Sequence, residues 1–216
     1  AMKDKLITQS PNFDVVIPKK RKTIEEVESN PIEQKYLDSE ELNEFLDAVL
    51  KYGLDLDIER FHLLAFTGMR SGELCALKWS DINFNDRTIR ITKTLYNENN
   101  TTPKTASSIR VIDVEEEIID LLRSHRKRQL RILESYRNEF DDYQDGNFVF
   151  CRPNGYPFIQ KNISTRMQRI LEYTNITKKA TPHIFRHTHI SLLTEAGVDL
   201  ATIMERVGHD DPQTTL

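Results

Sequence analysis

The sequence has little of what would force an unusual architecture. Its two cysteines, Cys75 and Cys151, supply neither a disulfide framework nor a metal-ligand spacing, which points to the cytoplasm. No run is long and apolar enough for a membrane span or a secretory segment. Positive charge is not in excess. The net charge of −4 excludes a surface broadly suited to polyanions, so any anion site must be local. Nor is there a dense cluster of carboxylates of the kind that holds magnesium. Glycine is scarce, seven in 216 residues, and four of the seven (Gly53, Gly68, Gly197 and Gly208) stand where an apolar-periodic stretch stops. The apolar share of 38% is low, yet a chain of this length buries a real core without staples.

What is present reads as mainly helical with a small antiparallel three-stranded sheet. Residues 1–37 lack steady periodicity and hold Pro11, Pro18, Pro31 and the basic run Lys19–Lys20–Arg21–Lys22. They read as an interdomain linker or the remnant of an arm, and the domain proper is expected over 38–216. The abrupt Ala1–Met2 start reads as a cut from something longer. Asp38 and Glu41 have capping-box spacing before a helix whose stripe is Leu42, Phe45, Leu46, Val49 and Leu50. A second helix is expected over Asp57–Thr67, with Phe61, Leu64, Ala65 and Phe66 inward and Gly68 as its end. Ser71 is the expected cap of a short helix through Leu77. From Trp79 the period changes to two, giving strands around 82–84, 88–92 and 107–114, with Asn97–Asn100 as a loop. A long helix follows over Glu115–Tyr136, its apolar positions including Ile118, Ile119, Leu122, Leu130 and Leu133. Its Arg123, His125, Arg126, Lys127, Arg128 and Arg131 read as a solvated face. A helix ending near Tyr173 and one over Leu200–Val207, capped by Asp199, complete the pattern.

The stretch around which the rest is organised is Thr181–His189. Thr181 is the expected N-cap, Pro182 the first helical residue, and Ile190, Leu192, Leu193 and Ala196 the buried side. His183 and Arg186 then share one face at a helix start, where free N–H groups and the dipole favour a phosphate. Arg70 lies in the tight turn Thr67–Gly68–Met69–Arg70, with Glu73 spaced to orient its guanidinium for bidentate anion binding. Lys104 lies in the connection between the last two strands, and His209 follows Gly208. Two arginines, a lysine and two histidines suit a phosphodiester under displacement. Guanidiniums meet the charge that develops on the oxygens, and an amine or imidazole gives the leaving oxygen its proton. That scheme needs no cofactor and no metal.

Three segments carry a specific likeness: TGMRSGELCALKWSDI (67–82), TPKTASSIRVI (102–112) and TPHIFRHTHISLLTEAGVDLATIMERVGHDDPQTTL (181–216). Together they resemble the catalytic domain of the tyrosine recombinases, the phage-integrase family, and most of all integrases of Gram-positive phages and conjugative transposons. The resemblance implies the DNA-breaking-rejoining catalytic fold and site-specific recombination of double-stranded DNA through a 3′-phosphotyrosyl intermediate. It implies Arg70, Lys104, His183, Arg186 and His209 as the catalytic set, with Glu73 and His187 in support. It also implies tetramers on two duplexes, accessory DNA-bending proteins as further partners, and a nucleoid-associated location when bound. In the family the attacking tyrosine falls about nine residues after the histidine matched by His209, about position 218. Leu216 precedes it, so the 216 residues themselves are expected to hold the phosphate without cleaving.

Three other readings compete. A loose zinc site would use His183, His187 and His209, but lacks the His-Glu-x-x-His pattern. A DNA-binding regulatory or accessory protein with this fold and no cleavage needs none of the five groups. A phosphohydrolase needs a base for water, and none is evident.

Overall fold

The computed structural model describes residues 35–96, 99–101, 109–212 and 215. Residues 1–34 of the expected linker 1–37, and Lys104, lie outside the described residues. The rest falls in one unit, Ile32–Leu216. Helix α1 (Ser39–Tyr52) opens on the expected capping box. The Asp38 carboxylate accepts from the Glu41 N–H at 2.9 Å, and Glu41 accepts from the Asp38 N–H at 3.0 Å. Helix α2 (Asp57–Thr67) stops at Gly68, whose φ of 61° is left-handed. The short α3 (Ser71–Ala76) follows at once.

Three strands make the expected sheet. β1 (Ile82–Asn83) pairs antiparallel with β2 (Thr88–Ile91), and β2 with a later strand, Arg110–Asp113. The register stacks Ile82 on Ile89 and Ile89 on Ile112, all buried, so one face of the sheet is core. A second hairpin, β3 (Thr94–Tyr96) with β4 (Asn99–Thr101), occupies ground expected to be loop, so that Arg110–Asp113 becomes β5. Its polar Asn-rich strand carries no hydrophobic alternation. It forms because β3 rests on α3 at Gly72, where an added Cβ would lie 2.5 Å from Thr94 Oγ1 and 3.0 Å from the Leu95 carbonyl.

Four more α-helices follow among the described residues: α4 (Glu116–Tyr136), α5 (Gln160–Leu171), α6 (Ile184–Glu195) and α7 (Leu200–Val207). Among the described residues none is long and apolar enough to cross a membrane. The core closes on an aromatic triad from α1, α2 and α6. The Phe45 ring lies 5.2 Å from both Phe61 and Phe185, and Phe61 lies 5.8 Å from Phe185. All three are fully buried, and each contributes roughly 1.5–3 kcal/mol of hydrophobic stabilisation. Since Phe185 precedes Arg186, this packing fixes where Arg186 leaves α6.

Several sequence expectations change. Leu50, Phe66 and Leu130 are exposed, because each sits one step past the buried stripe of its helix. Ala196 is also exposed, while Leu192 and Leu193 are half-buried. Within the basic run of α4, His125 is buried, bonded through Nε2 to the Val149 carbonyl, and Arg128 pairs with the buried Glu59. Helix α6 begins at Ile184 rather than Pro182, after a turn in which the Thr181 carbonyl accepts from the Ile184 N–H at 2.8 Å.

Candidate functional site

Each site residue takes its place from a local rule. Arg70 is itself the N-cap of α3, in place of the expected Ser71. Its N–H donates to the Glu73 carboxylate at 2.8 Å, so the acid three residues on serves as the cap. The same carboxylate accepts from the Arg70 side chain at 2.9 Å. From β5, Arg110 donates to both Glu73 oxygens, at 2.9 and 3.2 Å. Both partners of this second pair are almost wholly buried. Burial alone would raise the Glu73 carboxyl, but the hydrogen bonds and charge of Arg110, with those of Arg70, hold it below the usual carboxylate range.

Arg186 is 1% exposed, and three groups hold it. Its Nη1 donates to the Gly68 carbonyl at 3.0 Å, its Nη2 to the Val207 carbonyl, and its Nε to His209 Nε2 at 3.2 Å. Since a guanidinium only donates, His209 Nε2 must accept. The His209 proton then sits on Nδ1, which faces Thr215 Oγ1 at 2.9 Å. In this structure His209 serves first to orient Arg186. Burial, then the charge of Arg70, push the Arg186 guanidinium down to about 9, which leaves it charged at neutral pH.

The C-terminus of α7 ties these groups together. Three successive carbonyls there each accept from a different arginine: Arg206 O from Arg110 at 2.8 Å, Val207 O from Arg186, and Gly208 O from Arg70 at 3.4 Å. A helix end carries unpaired carbonyls and partial negative charge, which suits cations. Gly208, at φ 68°, turns the chain so that its N–H closes the helix on Met204 O while its own carbonyl points at Arg70. Arg70 and Arg186 therefore point into one place. Among the described residues, three guanidiniums against one carboxylate leave two positive charges in excess.

The anion seat differs from the one expected at the start of α6. The N–H groups of Ile184 and Arg186 are taken by the carbonyls of Thr181 and His183, so side chains rather than free backbone make the seat. His183 sits at the N-cap with an exposed edge, 4.8 Å from the His187 ring in an edge-to-face contact. Desolvation, then His187, Arg186 and Arg70, push His183 down to about 4. Desolvation, then Arg186 and Arg70, do the same to His209. His187 is also lowered, by burial and Arg186. Among the described residues no group of His, Cys, Asp or Glu is arranged to hold a metal ion, which leaves the zinc reading without a cluster.

Two predictions follow from this geometry. The lowered imidazoles bind protons more readily unfolded, where a histidine titrates near about 6.5, than folded. Stability is therefore full above that value and falls as the pH drops toward about 4. Urea midpoints from pH 7.5 to 4.5 should decline across that window, and a flat profile would contradict the assignment. Secondly, Gly68→Ala meets a left-handed φ and places a Cβ 2.8 Å from His189 Cδ2. A loss of about 1–2 kcal/mol from handedness alone is expected in denaturant melts.

Arg110, His189 and Arg206 were not singled out as site residues from sequence, although Arg110 lies within the 102–112 likeness. The signal for Arg110 was available: a charged residue on the inward phase of a strand.

A mostly helical domain with a small antiparallel sheet and an arginine cluster of this kind has the catalytic fold of the tyrosine recombinases. The chain belongs to the phage integrase family, whose sequence profile matches residues 35–216. It is 34% identical over 217 residues to the integrase of Staphylococcus phage L54a, covering 94% of this chain and 60% of that protein. To the ICEBs1 integrase of Bacillus subtilis it is 29% identical over 91% of this chain and 54% of the relative. Among solved structures it resembles the Tn1549 transposon integrase in complex with transposon right-end DNA (TM-score 0.66, 25% identity, 87% of this chain and 62% of that one). The fold of XerA recombinase is also similar (TM-score 0.67, 24% identity, 87% and 60% coverage). The chain thus spans only 54–60% of the length of these curated relatives.

Proposed function

We propose that residues 38–216 form the catalytic domain of a site-specific DNA recombinase, joined through 1–37 to further DNA-clamping parts of the protein. The substrate is a double-stranded DNA recombination site. A tyrosine hydroxyl attacks the scissile phosphorus, the bond to the 5′ oxygen breaks, and a 3′-phosphotyrosyl link and a 5′-hydroxyl result. A 5′-hydroxyl from the partner strand reverses the step, so the bond energy is conserved and no nucleotide is consumed. Family spacing puts the tyrosine about nine residues after His209. The whole protein acts as a tetramer on two duplexes, aided by DNA-bending proteins, in the cytoplasm where its DNA lies.

The observation that carries this reading is the excess of two positive charges where Arg70, Arg110 and Arg186 meet Glu73. A phosphodiester carries one negative charge, and the five-coordinate phosphorane carries two. The cluster therefore matches the transition state better than the ground state, which is the condition for catalysis. Arg70 and Arg186 hold the non-bridging oxygens, with Glu73 and Arg110 fixing Arg70 from behind. Lys104 protonates the leaving 5′ oxygen. His183, kept neutral by its surroundings, takes the tyrosine proton, with His187 in support. His209 orients Arg186, and once Arg186 has turned to the phosphate the His209 proton moves to Nε2, from which it donates to a phosphate oxygen.

The test uses the full-length protein and nicked duplexes carrying the end junction of its own genetic element. A covalent protein–DNA adduct on a denaturing gel is expected, and its absence would overturn the reading. Lys104→Ala should form little adduct on the ordinary phosphodiester. A 5′-bridging sulfur, which leaves without a proton, should restore part of it. Failure of that rescue would remove Lys104 as the acid.

A further inference from the structure

The end of α7 holds three arginines, yet α7 is a short helix near the chain's last described residues. Ile203 and Val207 pack it against Ile190 of α6, and Arg206 adds polar ties to α6 and β5. Arg206 donates from Nε to His189 Nε2 at 3.0 Å and from a terminal nitrogen to the Asp113 carbonyl of β5 at 2.9 Å. His189 lies on α6, 7% exposed, with its ring against Gly68 and close to the Ala65 backbone. Gly68 in turn gives its carbonyl to Arg186. One buried ring thus touches the turn leading to Arg70, the helix bearing Arg186 and the residue that carries the first of the three carbonyls.

We propose that His189 and Arg206 form a latch that sets the height of the α7 C-terminus, and that both are positioning residues for the phosphate site. They act through the carbonyls of Arg206, Val207 and Gly208, and neither touches the DNA. The guanidinium of Arg206 has only donors, so the latch requires His189 Nε2 to accept, with its proton on Nδ1 toward the Ala65 carbonyl. Burial first, then the charges of Arg206 and Arg186, push this imidazole down to about 4, so it is neutral and able to accept at physiological pH. Burial lowers the Arg206 guanidinium below its ordinary value, against the opposing charges of Asp113 and Glu115. Opening the latch frees α7 to shift, and an arginine displaced by about 1 Å loses about a hundredfold in rate.

The inference rests on the recombinase reading, and the experiment separates the two. Full-length protein carrying His189→Leu, His189→Gln, Arg206→Met, or His189→Leu with Arg206→Met is compared with the unmodified protein. Single-turnover cleavage is measured at saturating nicked DNA, with affinity measured separately. His189→Leu is expected to slow cleavage about ten- to a hundredfold. DNA affinity should stay within about threefold, because phosphate contacts elsewhere set it. His189→Gln, whose side-chain carbonyl replaces Nε2, should recover most of the rate. The double variant should be no slower than either single one, since both open the same latch. Cleavage by His189→Leu at the unmodified rate overturns the proposal. So does equal impairment of the Leu and Gln variants, or a double loss that multiplies. If the unmodified protein forms no adduct at all, the recombinase reading falls first and the latch with it.

Discussion

In the full-length protein, Arg186→Ala is expected to lose DNA strand cleavage by about three to five orders of magnitude while the protein stays folded. The size follows from removing a guanidinium that meets charge as it develops on a transferring phosphoryl group. Survival of the fold is less obvious, since Arg186 is 1% exposed. Two opposing effects decide it. Deleting the side chain leaves the Gly68 and Val207 carbonyls without donors, at about 1–3 kcal/mol each. Against that, burial pushes the guanidinium down to about 9, so its charge burdens the folded state by an amount on the order of 5 kcal/mol, which the substitution relieves. The two nearly cancel, and thermal melts should move little. A variant that cleaves normally would refute the phosphate clamp. One that unfolds would show that the arginine is held mainly for stability.

Glu73→Ala is expected to lose stability as well as cleavage. Glu73 and Arg110 are 2% and 3% exposed and face each other at 2.9 Å. Removing the carboxylate takes the Glu73 ion pair from the buried Arg110, close to Arg70 and Arg186. Breaking a buried pair from one side costs about 3–5 kcal/mol. Urea unfolding should show that loss, and cleavage should fall with it because Arg70 loses its brace. Glu73→Gln keeps acceptor capacity without charge and should fall between the two. If Glu73→Ala unfolds at the unmodified midpoint, the three guanidiniums do not repel one another as the geometry implies.

The parts of this fold that were legible in the sequence are those set by short-range chemistry. Asp38 with Glu41, Gly68 after Thr67, and Asp199 before Leu200 each mark a boundary that the structure keeps. The period change at Trp79 marks the sheet. Of the candidate groups, Arg70, Arg186 and His209 converge with Glu73, while His183 and His187 stand beside them. Lys104 lies outside the described residues. What was not legible depends on tertiary contact. The β3–β4 hairpin exists because α3 offers Gly72 to it, and its own Asn-rich sequence gives no sign of that. The seat was expected from the free N–H groups at the start of α6, but those of Ile184 and Arg186 are taken by the carbonyls of Thr181 and His183. The larger omission is the α7 C-terminus. Its contribution comes from backbone carbonyls, which every residue has, so no side-chain pattern announces that three of them face three arginines.

The central claim is that Arg70 and Arg186 act on one phosphate. A crystal structure of the full-length protein on a DNA half-site tests it most directly, through the distances from both guanidiniums to the scissile phosphorus group. The account predicts that each lies within about 3 Å of a non-bridging oxygen of the same phosphate, with the carbonyls of Val207 and Gly208 behind them. Guanidiniums resting on two different phosphates, or on none, would contradict it.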